Sequence, residues 1–303
     1  MKVLNLVTTP RPFFDNQLRA LQRLGVEVDV IQVPGRESQE ESRLATDYLQ
    51  YYPNVLRKQF EDYDLVHANF GNTTPFAIFQ PTRPIVVSFW GSDLMGRFGA
   101  INSRFASLFN EVILPSPVLT RYVPCDCHII PFEINTELFC PISKSEARLE
   151  VGWEQNKNYI LFPYSETREE KNYPLARRIA DNADQNVELI AISEVEYEQM
   201  PYYINASDVV LITSKRESGP MVVKEAALCN TPVISTDVGF VSDVLSDVKN
   251  SYVCSSEAEL VEQLDDVLES GNQSNGRKYA NEWGLDTMGE QLVNVYESAI
   301  TNQ

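Results

Sequence analysis

Short apolar runs alternate with segments of helical periodicity along almost the whole chain, and this alternation limits the possible folds more than any other feature. The first instance is an apolar run at residues 3–7, then leucines at near-helical spacing, then Gly25 and a second apolar run at residues 26–33. This order is typical of a βαβ unit, in which the two strands are parallel. Repeated along a chain, it predicts open α/β sheets.

The alternation occurs twice, on either side of an irregular stretch near residue 138. It resumes with the strand Tyr159–Phe162 and is clearest over residues 209–236. A chain of 303 residues is long enough for two domains of roughly 100–200 residues each. We therefore predict one Rossmann-like domain over residues 1–138 and a second over residues 139–285. Ligands bind outside the carboxyl ends of such strands, so two facing sheets predict a central cleft.

Charge and composition exclude several classes of protein. The chain has 25 Lys and Arg against 43 Asp and Glu, a net charge of −18, so we expect no nucleic-acid partner. The apolar runs are far shorter than the ~20 residues that span a bilayer, which leaves only peripheral contact with a membrane. Five scattered cysteines and the lack of a signal-peptide pattern predict a cytoplasmic protein, with room for a peripheral position at the inner membrane face.

The segment Ser214–Glu225 follows a strand and leads into a helix. Gly219 permits close backbone approach, and Pro220 suits the start of a helix. Unpaired N–H groups and the positive end of the helix dipole attract a diphosphate, so a nucleotide is expected here. Glu217 and Glu225 stand eight positions apart, which lets them face different parts of one ligand. Glu225 is also compatible with a solvated residue that complements the helix dipole.

A resemblance to a known family sharpens this prediction. Glu217, seven intervening residues, Glu225-Ala226 and the stretch 229–239 resemble the E-x7-E signature of family 4 glycosyltransferases, and residues 202–208 resemble the helix end that precedes it. That family has the GT-B fold and retains the anomeric configuration. The resemblance implies a catalytic Glu217 beside the donor sugar and a Glu225 that binds the ribose. It also implies backbone contacts to the sugar hydroxyls and the diphosphate from Ser218, Gly219, Pro220, Met221 and Val222.

A second matching stretch lies at residues 162–172, which resemble the family's G-R-x-x-x-K-G loop. Arg168 and Lys171 would then neutralise the donor diphosphate, and two cations there make a metal ion unnecessary. The alternative is a charged loop of salt bridges, because acidic residues surround both cations. This chain departs from the pattern at Asn172, which replaces the glycine.

The N-terminal half resembles the family less closely. Trp90 occupies the place of a histidine that faces the donor sugar in many relatives; it could stack on a sugar or be a core aromatic residue. His67 could line the cleft or be a hydrogen-bonded structural histidine. Asp93 is an acceptor-hydroxyl candidate by analogy. The loop after the first strand lacks the family's glycine pair, and Arg11 is a candidate for supplying charge there or an ordinary surface residue.

Two other patterns look like metal sites, and we interpret neither of them as one. Asp62-Tyr63-Asp64 spells the D-x-D of metal-dependent transferases, but it precedes a strand and is interpreted as a turn. Residues 125–128 offer two cysteines and a histidine at tight spacing but lack the second ligand pair of a structural zinc site, so partly buried thiols are expected. No metal and no other cofactor is predicted.

Together these observations predict a GT-B glycosyltransferase, hexosyltransferase-like and independent of metal. It would move a sugar from a nucleoside-diphosphate sugar to a hydroxyl acceptor on a glycan or a lipid-linked glycan precursor. The base would contact backbone groups at residues 193–195, and the terminal helix, residues 286–303, would cross back to the N-terminal domain. The alternatives are a catalytically silent nucleotide-sugar-binding partner of another transferase, or an epimerase or phosphorylase on the same fold.

Overall fold

The chain forms two compact units in the computed structural model, which describes residues 1–35 and 43–302. Unit 1 consists of Met1–Glu133 and Leu285–Gln303, and unit 2 consists of Ile134–Gly284. The division after Glu133 falls five residues before the limit at 138 that the sequence suggested.

Unit 1 is built on a six-stranded sheet in which every pair of neighbouring strands is parallel. Its strands are β1 (Lys2–Val7), β2 (Glu27–Gln32), β3 (Leu65–Asn69), β4 (Ile85–Ser88), β5 (Glu111–Leu114) and β6 (His128–Ile129). Five helices connect them: α1 (Pro12–Arg23), α2 (Ala45–Arg57), α3 (Thr74–Ile78), α4 (Ser92–Met95) and α5 (Gly99–Ala106). The strand order is β2-β1-β3-β4-β5-β6, so the chain reverses direction across the sheet between β1 and β3.

Unit 2 repeats this architecture with five parallel strands. They are β7 (Asn158–Phe162), β8 (Val187–Ala191), β9 (Val209–Ile212), β10 (Val233–Thr236) and β11 (Tyr252–Cys254). The helices are α6 (Lys144–Glu150), α7 (Tyr173–Asp181), α8 (Met200–Ala206), α9 (Met221–Leu228), α10 (Val241–Leu245) and α11 (Glu257–Ser270). The order β11-β10-β9-β7-β8 places the reversal between β7 and β9, and ligands of such sheets bind at that switch point.

The apolar residues of the sequence explain why these elements form. All four residues of β9 are buried, as expected for a central parallel strand covered on both faces. Each sheet has buried apolar side chains on both faces, which gives each unit two core clusters. The prediction of two parallel α/β sheets is therefore confirmed, although β11 and the short β6 had not been identified from the sequence.

The C-terminal helix α12 (Leu285–Thr301) belongs to the core of unit 1. It packs against α1, and its buried face includes Met288, Leu292 and Tyr296. Leu292 thus lies in the same core cluster as Val3, so the core of unit 1 combines residues that are far apart in the sequence.

We predict that Leu292→Ala lowers the free energy of unfolding by about 2–5 kcal/mol, the usual cost of a leucine-sized cavity. Leu292 is 2% exposed, whereas Leu149, the control, is 80% exposed, so Leu149→Ala should change stability by less than about 0.5 kcal/mol. Urea denaturation followed by circular dichroism measures both. Equal effects of the two substitutions would contradict a core role for α12.

Candidate functional site

The loops after β7 and β9 meet at the switch point of unit 2. The first, residues 163–172, contains Lys171, and the second, residues 213–220, contains Glu217. The Lys171 ammonium donates a short hydrogen bond to Oε1 of Glu217, although the two residues lie 46 positions apart. Their side chains are only 6% and 13% exposed. The sequence proposed both residues separately, and the structure places them in direct contact.

Further side chains hold this ion pair in place. Ser214 Oγ donates to the same Glu217 oxygen at 2.8 Å, and the ring centroid of Tyr164 lies 3.8 Å from Lys171 Nζ. Burial lowers the pKa of Lys171, while the carboxylate of Glu217 opposes that shift. Burial and the nearby acidic side chains raise the pKa of Tyr164 well above its usual range, so this phenol stays protonated. Ser214 and Tyr164 had no predicted role, although they stand one and two residues after predicted strands.

The backbone of the first loop explains the departure from the glycine of the family pattern. Asn172 adopts φ 59° and ψ 48°, the left-handed conformation that glycine adopts freely and asparagine tolerates better than most residues. Thr213 Oγ1 donates to the carbonyl oxygens of Lys171 at 3.0 Å and Asn172 at 3.1 Å, which ties the two loops together. The replacement is therefore compatible with the turn that presents Lys171.

Arg168 lies in the same loop but is differently placed. Its side chain is 49% exposed and donates to Glu170 Oε1, with Nε at 2.8 Å. Arg168 therefore forms a salt bridge within its own loop, as the alternative interpretation expected. Lys171 differs, because it is buried against Glu217 of the second loop. A bound anion would have to compete with Glu170 for the guanidinium group.

The second loop leads directly into α9, where the first turn of an α-helix leaves N–H groups without i−4 partners. Of these, Val223 N donates to the carbonyl oxygen of Pro220 at 3.1 Å. Pro220 precedes the helix with an extended backbone, and Met221 and Val222 begin it. Gly219 packs so closely on the ring of Phe240 that a Cβ would lie 2.0 Å from its Cε1 atom. A side chain at position 219 would therefore force the ring of Phe240 to move, so glycine allows the loop before α9 to pack against Phe240.

Glu225 lies one turn further into α9 and is 6% exposed. Burial raises its pKa to about 7, and a hydrogen bond from Tyr197 acts in the opposite direction. The solvated alternative for Glu225 is therefore wrong, because the carboxyl group is inside unit 2. Tyr197 follows β8 at the same edge of the sheet, close to residues 193–195, where a base was expected.

In unit 1, His67 is fully buried inside β3. Its Nδ1 lies 2.7 Å from the Tyr296 hydroxyl of α12, and its Nε2 lies 2.8 Å from Ser88 Oγ. Burial lowers its pKa to about 3, so the ring is neutral at physiological pH. These contacts favour the structural alternative for His67 over a role in a cleft.

Asp93 is 4% exposed and accepts hydrogen bonds from three backbone amides. They are Gly71 N at 2.8 Å, Trp90 N at 3.0 Å and Gly91 N at 2.8 Å. The carboxylate thereby joins the loops after β3 and β4, including Phe70, whose φ of 77° is unusual for a bulky residue. This geometry does not support the expectation that Asp93 contacts an acceptor hydroxyl.

Trp90 lies in an aromatic cluster at the carboxyl edge of the unit 1 sheet, formed by the start of α1 and by loops that follow strands. Its ring centroid is 4.7 Å from that of Phe13 and 5.5 Å from that of Phe70. Phe13 also stacks on Phe132 at 4.2 Å. Trp90 is half-buried, so its ring both packs in this cluster and is partly exposed. Arg11, directly before α1, is also half-buried.

The two sequence patterns that look like metal sites, residues 62–64 and 125–128, have ordinary surroundings in the structure. Asp64 accepts a hydrogen bond from the backbone N–H of Lys2 at 2.6 Å at the amino end of β3, away from the carboxyl edge. Cys125 and Cys127 are half-buried free thiols whose pKa values are raised by burial.

Among the described residues no helix is long and apolar enough to cross a membrane.

Known proteins agree with this fold. The family model described as "Glycosyl transferases group 1" matches residues 152–283, which lie within unit 2. Sucrose-phosphate synthase from Thermosynechococcus elongatus aligns over 100% of both chains with a TM-score of 0.79 and 15% identity. Anabaena HepE in complex with UDP-glucose aligns over 98% of this chain and 100% of its own, with a TM-score of 0.75 and 16% identity.

A glycosyltransferase from Rickettsia africae aligns over 100% of this chain and 99% of its own, with a TM-score of 0.70 and 13% identity. No curated protein matches the chain by sequence. The predicted GT-B class is thereby confirmed, with two parallel-sheet α/β domains of six and five strands. The family match over unit 2 supports a glycosyltransferase.

We predict that Glu225→Gln makes the protein relatively more stable as pH rises from about 4.5 to about 7. In this range the unfolded chain releases the Glu225 proton while the folded state keeps it, so the wild type loses stability as pH increases. Urea denaturation at several pH values should show a difference between variant and wild type that grows by about 3 kcal/mol, since one pKa unit is worth about 1.4 kcal/mol. Parallel stability curves would show that the Glu225 pKa is unperturbed.

Proposed function

We propose that this protein is a retaining, metal-independent glycosyltransferase that moves a sugar from a nucleoside-diphosphate sugar to a hydroxyl acceptor. The observation that carries the proposal is the buried contact between Lys171 and Glu217 at the β7–β9 switch point, beside the start of α9. A cation and a carboxylate at one point suit a reaction that separates charge. The leaving diphosphate becomes more negative as the sugar becomes more positive.

Different residues of unit 2 would bind the diphosphate, the ribose and the base of the donor. The first-turn amides of α9 and the ammonium of Lys171 would hold the diphosphate, with Arg168 reaching it from the solvent side. Glu225 would accept a hydrogen bond from the ribose, and backbone groups at residues 193–195 would contact the base. Preorganised donors of this kind stabilise developing charge without a metal ion.

Glu217 would act on the sugar. With a donor present, Lys171 would turn from the carboxylate to the diphosphate, which frees Glu217 to stabilise positive charge at the anomeric carbon. Ser214 would keep the carboxylate oriented through its 2.8 Å hydrogen bond during that exchange. The bond from the anomeric carbon to the diphosphate would break as the acceptor oxygen attacks from the same face, and the hydroxyl proton would pass to the departing diphosphate. The anomeric configuration would then be retained.

The donor and acceptor are proposed as classes. UDP-glucose is the first donor to test, because it is bound in the HepE structure of the same fold. The acceptor would be the hydroxyl of a glycan or a lipid-linked glycan precursor, held by unit 1, where Trp90 offers an aromatic ring. The enzyme would act in the cytoplasm, and at the inner membrane face if its acceptor carries a lipid.

A silent nucleotide-sugar-binding partner is the second candidate. It is favoured by one observation in unit 1, where His67 and Asp93 use their polar atoms within the fold. Both candidates would bind a donor, but only the transferase would release nucleoside diphosphate at a rate that an acceptor increases. An epimerase would need no acceptor, and a phosphorylase would need inorganic phosphate.

We predict that Glu217→Gln slows sugar transfer by about 10²–10³-fold, the usual loss when a charge-stabilising group is removed. The amide keeps the shape of the side chain, so donor binding, followed as a rise in melting temperature, should persist. Release of nucleoside diphosphate measures turnover.

The matched control is Glu169→Gln, which alters an exposed glutamate in the loop that holds Lys171. It should leave turnover within a factor of about two of the wild type, as expected for a solvated side chain. If Glu217→Gln transfers sugar as fast as Glu169→Gln, the assignment of Glu217 is wrong.

A further inference from the structure

One segment of unit 1 differs in charge from the rest of this acidic chain. Residues 94–124 contain three arginines and a single acidic residue, Glu111, in a protein of net charge −18. Glu111 contacts His128 Nε2 at 2.7 Å and accepts a hydrogen bond from Ser298 Oγ at 3.0 Å, so its carboxylate is engaged inside unit 1. The arginines are Arg97, Arg104 and Arg121, all of them exposed. Within residues 1–35 and 43–302, none of the three forms an ion pair.

Large apolar side chains are exposed beside these arginines. Phe98 is 52% exposed, Ile101 50% and Leu108 60%. Ile101, Arg104 and Leu108 follow at helical spacing, so they share the outward side of α5 and its end, whereas Asn102 and Ala106 face inward and are buried. The turn Pro117–Tyr122 packs beside α5 and contributes Arg121. We call this surface the α5 face: Arg97, Phe98, Ile101, Arg104, Leu108 and Arg121.

Exposure of a leucine alone would not distinguish this surface. Leu149 in α6 is 80% exposed, but its neighbours are Glu150 and an arginine, Arg148, that is buried and bonded to Asp208 at 2.9 Å. Single exposed apolar residues of that kind are ordinary. The α5 face is different because exposed apolar side chains lie beside exposed arginines, with the polarity of a helix at a lipid interface. Within the described residues, the guanidinium groups of Arg97 and Arg121 lie over aromatic rings, Phe98 at 5.7 Å and Tyr122 at 5.1 Å.

We propose that the α5 face docks unit 1 onto a bilayer that contains anionic lipids. The arginines would bind lipid phosphates, and Phe98, Ile101 and Leu108 would enter the boundary between headgroups and acyl chains. Charge complementarity selects this occupant, because the face is basic and apolar while the rest of the chain is acidic. The surface lies outside the donor site of unit 2, and the proposal does not depend on the donor chemistry.

The overall negative charge does not oppose this docking at short range. Charges separated by more than about 8 Å are largely screened at physiological ionic strength, so distant carboxylates act weakly on a lipid surface that the arginines contact. Each basic residue close to an anionic surface strengthens binding by roughly fivefold. Three arginines therefore account for about a hundredfold of affinity, and the apolar side chains add to it.

Co-sedimentation with vesicles tests the proposal. The full-length protein should sediment with phosphatidylcholine vesicles that contain phosphatidylglycerol and stay in solution with phosphatidylcholine alone. The triple substitution R97Q/R104Q/R121Q should weaken binding about a hundredfold, and added salt should weaken wild-type binding. The double substitution I101S/L108S removes apolar side chains that would insert into the bilayer. It should therefore weaken binding to vesicles with phosphatidylglycerol even at low salt, where electrostatic attraction is strongest.

The matched controls are Arg177→Gln in α7, where the side chain is 57% exposed, and Leu149→Ser in α6. Both should bind vesicles as the wild type does, and unchanged melting temperatures would show that every variant is folded. Failure of the wild type to bind anionic vesicles, as expected if the face binds an acidic protein instead, would overturn the proposal. Equal losses in α5-face and control variants would overturn it as well. No nucleotide sugar enters this experiment, so its outcome is separate from that of the transferase test.

Discussion

The ion pair between Lys171 and Glu217 is the contact on which the candidate site depends. Removing two charges from water costs several kcal/mol per ion, and a buried pair of this kind is weak support for stability. The pair is nevertheless held by Ser214, by the ring of Tyr164 and by the hydrogen bonds of Thr213 to the loop backbone. A buried ion pair that costs free energy is understandable if a ligand binds to its two charged groups.

The fold places this pair by simple geometry. Parallel strands end at the same edge of a sheet, and the reversal of strand order between β7 and β9 leaves room for a ligand there. Asn172 makes the turn that presents Lys171, and the close approach of Gly219 to Phe240 fixes the chain before α9. The amides of α9, the ammonium and the carboxylate thus lie within one loop system of unit 2.

The candidate residues of unit 2 were expected directly after strands, and they lie there for a physical reason. Local spacing determines strands, turns and the helix start, and the residues of this site directly follow strands. What spacing could not predict are contacts between distant positions. The burial of His67 depends on Tyr296, which lies 229 positions further along the chain, and the role of Asp93 depends on the amide of Gly71. The exposed guanidinium of Arg168 and the buried ammonium of Lys171 also look equivalent in sequence, although they differ in the structure.

The two units therefore differ in the side chains that they can offer to a ligand. Unit 2 presents charged groups arranged around an ion pair, whereas the polar side chains predicted for unit 1 largely stabilise its own loops. The surfaces that unit 1 offers to a partner are instead the aromatic cluster of Trp90 and the α5 face.

Calorimetric binding of a nucleoside diphosphate and its parent nucleoside to the wild type and to Lys171→Met tests the central claim most directly. UDP and uridine are the first pair to use. If Lys171 binds the diphosphate, the wild type will bind UDP much more tightly than uridine, and the substitution will remove most of that difference while leaving the affinity for uridine unchanged. An unchanged ratio of the two affinities in Lys171→Met would contradict the assignment of a diphosphate site to this ion pair.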